Sequence, residues 1–248
     1  MNQSERNDYR KSYGDYRTFE RDDAVPMEQE AGARVFVNRV YNWMFCGLMI
    51  TTIAAWGVTL NEQTFRAVFN LFTMLAIAEI VLVIIISSMI NSMSATTAGV
   101  LFVVYSALNG LTLSPIFLAY TQTSIFLAFG SCALMFAATS TFGYITGMRL
   151  DKVGSYCFMG LIGILIASLV NFFLRSDVLD YVISYLGIAV FVGLTAWDTQ
   201  KVRMIGEANG EEAQSDAMRK VAIIFALRLY LDFINMFIYL LRIFGRRR

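Results

Sequence analysis

The stretch LRLYLDFINMFIYLLRIF, residues 227 to 244, has the length and apolar content of a helix that crosses a membrane. It nevertheless contains Asp232, and Arg228 lies one helical turn before it. A carboxylate deep in the bilayer costs about 2.5–3.5 kcal/mol on insertion scales, and its short side chain cannot reach water from there. We therefore expect a transmembrane helix whose Asp232 faces protein or a wet cavity.

The distribution of charge places the whole chain among membrane proteins. Of its 248 residues 57% are hydrophobic and 16% are charged, and most of the charges lie in the first 40 positions and in the segment 199–220. The long uncharged stretches between them predict a lipid bilayer as the surrounding medium. The net charge of +1 lacks the basic excess of nucleic-acid-binding proteins, so nucleic acid is not an expected partner.

The histidine, cysteine, aspartate and lysine content of the chain argues against several classes of protein. The chain contains no histidine, which removes Ser-His-Asp and Cys-His catalysis and histidine metal sites. Cys46, Cys132 and Cys157 fall in separate apolar segments and are interpreted as small core residues. An intramembrane aspartyl protease would carry GxGD where this chain has LYLDF, and a retinal protein would need a lysine within 221–248. We therefore expect neither an enzyme nor a bound cofactor.

Seven apolar runs are each long enough to cross a hydrocarbon core about 30 Å thick. They cover residues 36–60, 67–90, 97–119, 124–147, 153–174, 178–201 and 219–243. This pattern predicts an all-α membrane protein, with a flexible polar tail at 1–33 and a seven-helix transmembrane domain at 34–245. Pro115 should kink the third span. The small residues of 130–143 and 160–168 should lie where helices pack closely.

Lysine and arginine in the short loops favour an orientation with the N-terminus in the cytoplasm. The inner side then collects Arg21, Arg34, Arg39, Arg149, Lys152, Lys201, Arg203, Arg219 and Lys220. The outer side collects Arg66, Arg175, Arg246, Arg247 and Arg248. Because the three terminal arginines oppose the rule, the side on which the C-terminus lies stays open.

Polar side chains inside the apolar runs are the candidates for function, and they are Glu79, Asp198, Arg228 and Asp232. Asp198 lies near the inner end of span six, and Asp232 lies about ten residues into span seven, which begins on the same side. Two antiparallel helices that are joined on the inner side can bring both carboxyls together. The alternative is that the two carboxylates are solvated separately. Glu79 is either part of a functional site or a hydrogen-bonded buried acid.

Three motifs resemble the Bax-inhibitor-1 family, the transmembrane Bax-inhibitor-motif proteins. They are WDTQ at 197–200, LYLDFINMFIYLLRIFG at 229–245 and YSALNGLTLSPIF at 105–117, within a match over about 36–245. The resemblance implies a seven-helix bundle with the last helix at its centre. It also implies a bacterial inner-membrane protein that acts as a pH-sensitive calcium leak channel.

The family's carboxylate pair, which senses protons and contacts calcium, falls on Asp198 and Asp232, and its acidic position in span two falls on Glu79. Two carboxyls in an apolar bundle share one proton and titrate in coupled steps, and calcium is the expected transported ion. The alternative function is a membrane-embedded regulator that binds a protease or a quality-control partner without conducting ions.

The sequence departs from its relatives around the pair. Some bacterial relatives carry an arginine at the inner end of span two, whereas this chain has SSMINSMS at 87–94 and no basic residue from 67 to 148. Arg228 stands where relatives have a small residue, and Trp197 stands where tyrosine is frequent. Arg228 is a gating or supporting residue that either reaches Asp232, four positions on, or extends to the inner headgroups.

The predicted topology can be measured with fusion reporters. A reporter placed after Met1 and another placed in the loop 203–218 should both report the cytoplasm, because an even number of crossings separates them. Reporters that respond on opposite faces of the membrane would contradict the seven-span scheme.

Overall fold

The computed structural model describes residues 27–90 and 92–245, and within these ranges it contains nine α-helices and no strand. The helices are α1 (Met27–Thr59), α2 (Glu62–Asn70), α3 (Phe72–Met89), α4 (Ala95–Leu113), α5 (Ile116–Ala119), α6 (Gln122–Ile145), α7 (Asp151–Leu174), α8 (Asp177–Ala208) and α9 (Asp216–Phe244). A single 3-10 turn, Gly210–Glu212, separates α8 from α9. The predicted all-α membrane class is confirmed.

Within the described ranges, six helical segments are long and apolar enough to cross a membrane, counting α4 and α5 together as Ala95–Ala119. The bent pair of α1 and α2, whose axes meet at 113°, brings the number to seven if it forms one span. The run 67–90, predicted as one span, is divided at Leu71 between α2 and α3. Asn61 caps the start of α2, and an exposed Glu62–Arg66 ion pair keeps that helix polar on one side, unlike the apolar α3 that follows.

Proline and capping residues decide where several of the other helices begin and end. The third span breaks at Ser114 and Pro115, between α4 and α5, as expected from a residue that lacks a backbone N–H. Serine and threonine side chains accept a backbone N–H at the starts of the helices α4, α6, α8 and α9. Arg175 closes α7 in the left-handed conformation, with φ 51°, which allows a two-residue connection to α8.

Helix α9 lies at the centre of the bundle. Its most apolar window is 67% buried, whereas the windows of the other candidate spans are between 6% and 33% buried. It packs on α8, α1, α6 and α4, while α3 and α7 lie outside and pack mainly on α4 and α8. Because protein surrounds it on several sides, α9 can bury large side chains such as Leu229, Tyr230 and Met236 completely.

The start of α1 and the connection between α8 and α9 lie at the same end of the bundle. Arg39 Nη1 donates to the carbonyl of Ala213 at 2.6 Å, and Gly32 approaches the backbone of Gly210 so closely that a Cβ would collide with it. Helix α1 begins at Met27, so it includes residues that the sequence pattern assigned to the tail. The rest of that tail, 1–26, and the terminal arginines lie outside the described residues.

The glycines of the two predicted small-residue seams divide into packed and open positions. A Cβ on Gly143 would collide with the carbonyl oxygen of Ala196 in α8, and one on Gly160 would come within 2.9 Å of Val190. A Cβ on Gly130 or Gly163 would meet no described atom within 4 Å. Close helix packing therefore accounts for part of each seam.

This division gives a matched pair of variants in α6. Gly143→Ala should destabilise the fold by about 1–3 kcal/mol, because the new methyl group must displace the backbone of α8. Gly130→Ala should leave the stability unchanged or slightly raised, because alanine is the better helix former. Thermal unfolding midpoints in detergent measure both, and a Gly143→Ala midpoint at or above wild type would contradict the packing of α6 on α8.

Candidate functional site

The two aspartates lie on the neighbouring helices α8 and α9. Asp198 and Asp232 are each 5% exposed, and their carboxyls lie within electrostatic reach of one another. Asp198 precedes the end of α8 by ten residues, and α9 returns antiparallel after the short turn at 209–215. Both aspartates that the sequence pattern singled out are therefore buried on adjacent helices, and their action as a pair stays a prediction.

Arg228 joins the pair from the side of α9. Its Nη1 lies 3.6 Å from Asp198 Oδ1, and its guanidinium also acts electrostatically on Asp232. The sequence analysis weighed a contact with Asp232 on the same helix against extension to the headgroups. The structure instead directs the side chain across to α8, where it is 47% exposed and packs over the ring of Phe225.

Two cations, Arg228 and Lys201, act electrostatically on Asp198, whereas Asp232 is influenced by Arg228 alone of the two. Among the described residues, neither Asp198 Oδ1 nor Asp232 Oδ2 has a hydrogen-bond partner. The Thr195 hydroxyl lies beside the Asp232 carboxyl as well as the carbonyl of Phe191, to which it donates at 2.8 Å. The pair can therefore accept either one proton or one mobile cation.

The described residues contain no group of three or more acidic or cysteine side chains that could hold a metal ion. Calcium in stable protein sites takes six to eight oxygen ligands, far more than two carboxyls supply. The chemistry of this donor set suits brief contact with a passing cation better than permanent binding.

The residues that follow Asp198 in WDTQ connect α8 to its neighbours. The Gln200 side chain accepts from the backbone N–H of Leu150 at 2.8 Å and donates to the carbonyl of Met148 at 2.7 Å. The Thr199 hydroxyl lies 3.2 Å from the hydroxyl of Tyr41 on α1. These contacts attach α8 to α1 and to the loop between α6 and α7, which holds Asp198 in position.

Trp197 attaches α8 to α7. Its indole packs against Gly154, where no larger residue fits, and its Nε1 donates to Asp151 at 3.4 Å. Lys201 Nζ lies 3.6 Å from the centre of one of its rings. Sequence reasoning assigned no structural role to Trp197, Thr199 or Gln200. Their position next to Asp198 in an otherwise apolar segment could have indicated that they hold this helix in place.

Glu79 lies in a separate polar cluster. It accepts hydrogen bonds from Asn109 Nδ2 at 3.1 Å and from the Thr112 hydroxyl at 2.6 Å. The Tyr230 hydroxyl donates to Asn109 Oδ1 at 2.9 Å and lies 2.6 Å from the hydroxyl of Thr51. Tyr230 precedes Asp232 by two residues, or about 200° around the helix, so the two clusters occupy opposite sides of α9. This geometry is that of a hydrogen-bonded acid remote from the aspartate pair.

A second ion pair joins α8 to α9 at the far end of the bundle. Arg242 Nη1 lies 3.1 Å from Asp180 Oδ1, and both side chains are about one-third exposed. Sequence reasoning did not single out either residue. Their positions could have indicated the ion pair, because Asp180 lies near the start of α8 and Arg242 near the end of α9, and these two ends meet when the helices are antiparallel.

Comparison with known proteins identifies the family. The family described as inhibitor of apoptosis-promoting Bax1 matches residues 33–248. The inner membrane protein YbhL of Escherichia coli K12 is 46% identical over 233 residues, covering 93% of this chain and 99% of the relative. An uncharacterized protein of Borreliella burgdorferi is 44% identical, covering 86% of this chain and 92% of its own length. Protein RP147 of Rickettsia prowazekii is 40% identical, covering 88% and 92%.

The family match over nearly the whole helical part, together with relatives well above 30% identity, agrees with the all-helical bundle. The chain is therefore a multi-pass integral membrane protein that belongs to the Bax inhibitor-1 family.

Proposed function

We propose that this protein mediates a pH-dependent calcium leak across a bacterial inner membrane, with Asp198 and Asp232 as the gating element. The observation that carries the proposal is that both carboxyls are buried on adjacent helices, with the guanidinium of Arg228 3.6 Å from Asp198. The similarity to a relative named as an inner membrane protein supports the location. The basic residues of the short loops support a cytoplasmic N-terminus.

The proposed closed state is the protonated one. With one proton shared between the carboxyls, the guanidinium of Arg228 balances the remaining negative charge, and α8 and α9 stay together. The polar contacts of Thr199 and Gln200 keep α8 in register with the rest of the bundle.

Loss of the shared proton as the pH rises leaves two like charges between the helices. Two unit charges 4 Å apart interact by about 4 kcal/mol at an effective dielectric constant of 20. A free energy of this order shifts a two-state equilibrium by roughly a thousandfold. The carboxylates then separate or recruit a cation, and calcium suits them because its oxygen coordination is flexible in geometry.

The carboxyls are tested by removing one at a time. Asp198→Asn and Asp232→Asn should each abolish most of the pH dependence of calcium flux, because either change removes half of the shared-proton site. The measurement is calcium flux into liposomes that contain only this protein, as a function of pH. Asp177→Asn is the matched control, because Asp177 is exposed at the start of α8.

An unchanged pH profile in either pair variant would remove the carboxyls from the mechanism. Absence of calcium flux through the purified wild-type protein would contradict the leak function itself. It would favour the alternative of a membrane-embedded regulator that acts through a protease or quality-control partner.

Arg228 gives a prediction with a defined sign. Its positive charge favours the ionised pair, so Arg228→Ser should move the midpoint of flux toward higher pH. Arg228→Lys keeps the charge and should shift the midpoint less. A midpoint unchanged in well-folded Arg228→Ser protein would show that the ion pair with Asp198 does not contribute to gating.

A further inference from the structure

Helix α2 turns sharply away from the helix before it. Its axis meets that of α1 at 113°, and α3 begins two residues after α2 ends at Asn70. If α1 runs along the membrane normal, this angle leaves α2 only about 23° from the membrane plane. The direction of α2 is therefore that of a helix lying along a membrane surface and not that of a helix crossing the bilayer.

Helix α1 is long enough to complete a crossing before α2 begins. No charged residue lies between Arg39 and Glu62, and residues 40–59 extend about 30 Å at 1.5 Å per residue, which matches the hydrocarbon core of a bilayer. Near the end of α1, Trp56 is 57% exposed, and tryptophan is enriched where the membrane meets water. These features put the start of α2 at the level of one membrane surface.

The side chains of α2 divide into a polar side and an apolar side. At about 100° per residue, the four most polar side chains fall within one arc of about 100° around the helix, namely Glu62, Gln63, Arg66 and Asn70. The opposite side carries Thr64, Phe65 and Val68. A short helix divided in this way is typical of one that lies in the interface between water and lipid.

The bundle leaves the apolar side of α2 incompletely covered. No residue of α2 is buried, Phe65 and Val68 are half-buried, and Thr64 is exposed. The ring of Phe69 stacks on that of Phe65 with centroids 6.2 Å apart, yet Phe69 is 60% exposed. Because the helices that flank α2 cross the bilayer, the material next to this uncovered apolar surface is lipid.

We propose that α2 lies in the headgroup layer of the leaflet at the Thr59 end of α1, with its apolar side in the boundary between headgroups and acyl chains. The exposed ion pair of Glu62 and Arg66 then faces water and the headgroups. Helix α1 crosses the membrane alone, and α2 forms no part of a span. The inference stands independently of the calcium leak, since none of its residues belongs to the aspartate pair.

Two neighbouring residues provide a matched pair for the test. Gln63 and Thr64 are both exposed in the protein, but Gln63 lies on the polar side of α2 and Thr64 on the apolar side. A membrane-impermeant maleimide should modify Gln63→Cys at least tenfold faster than Thr64→Cys, because lipid covers only the second thiol. The rates are measured in nanodiscs of phosphatidylethanolamine and phosphatidylglycerol that each hold one copy of the full chain, which removes a second copy as the cover.

Controls separate the effect of lipid from the reactivity of each thiol. Wild-type protein gives the background from Cys46, Cys132 and Cys157, and the two variants should react at equal rates once they are unfolded in sodium dodecyl sulfate. Any smaller ratio of rates in nanodiscs would overturn the proposal. Fast modification of both thiols would place both sides of α2 in water, and protection of both would place the helix within the hydrocarbon core.

Discussion

Two buried carboxyls on adjacent helices, one of them paired with the guanidinium of Arg228, are the constraint on which the rest of this bundle depends. An aspartate such as Asp232 cannot face lipid, so the helix that carries it must be enclosed by protein. The structure meets this requirement by placing α9 among four other helices, with the carboxyl of Asp198 and the guanidinium of Arg228 beside it. The central position of the last helix is therefore the arrangement that a charge within an apolar segment demands.

Asp198, the other aspartate, is held in position by the residues next to it in the sequence. Thr199 and Gln200 connect α8 to α1 and to the loop after α6, while Trp197 fits over a glycine of α7. At the opposite end, Arg242 and Asp180 join α8 to α9. With both ends of the helix pair attached, Asp198 has a fixed position on α8.

The polar groups of the membrane interior are separated by the rotation of α9. Tyr230 turns toward α1 and α4, where its hydroxyl joins the cluster around Glu79, while Asp232 turns toward α8. Each cluster is surrounded by apolar packing, so the hydrogen bonds of one do not extend into the other. This separation explains why Glu79, although it is an intramembrane acid, lies apart from the aspartate pair.

The sequence by itself determined the membrane class, most of the helical spans and the break at Pro115, and it singled out Asp198 and Asp232 as the candidate pair. Those features follow from composition, from run length and from the short connection between two antiparallel helices, which are local properties of the chain. Only the tertiary structure decided that Arg228 points to Asp198. The physical reason is that partners across helices depend on how each helix is rotated about its axis, and nearly uniform apolar segments carry little periodicity from which that rotation can be predicted.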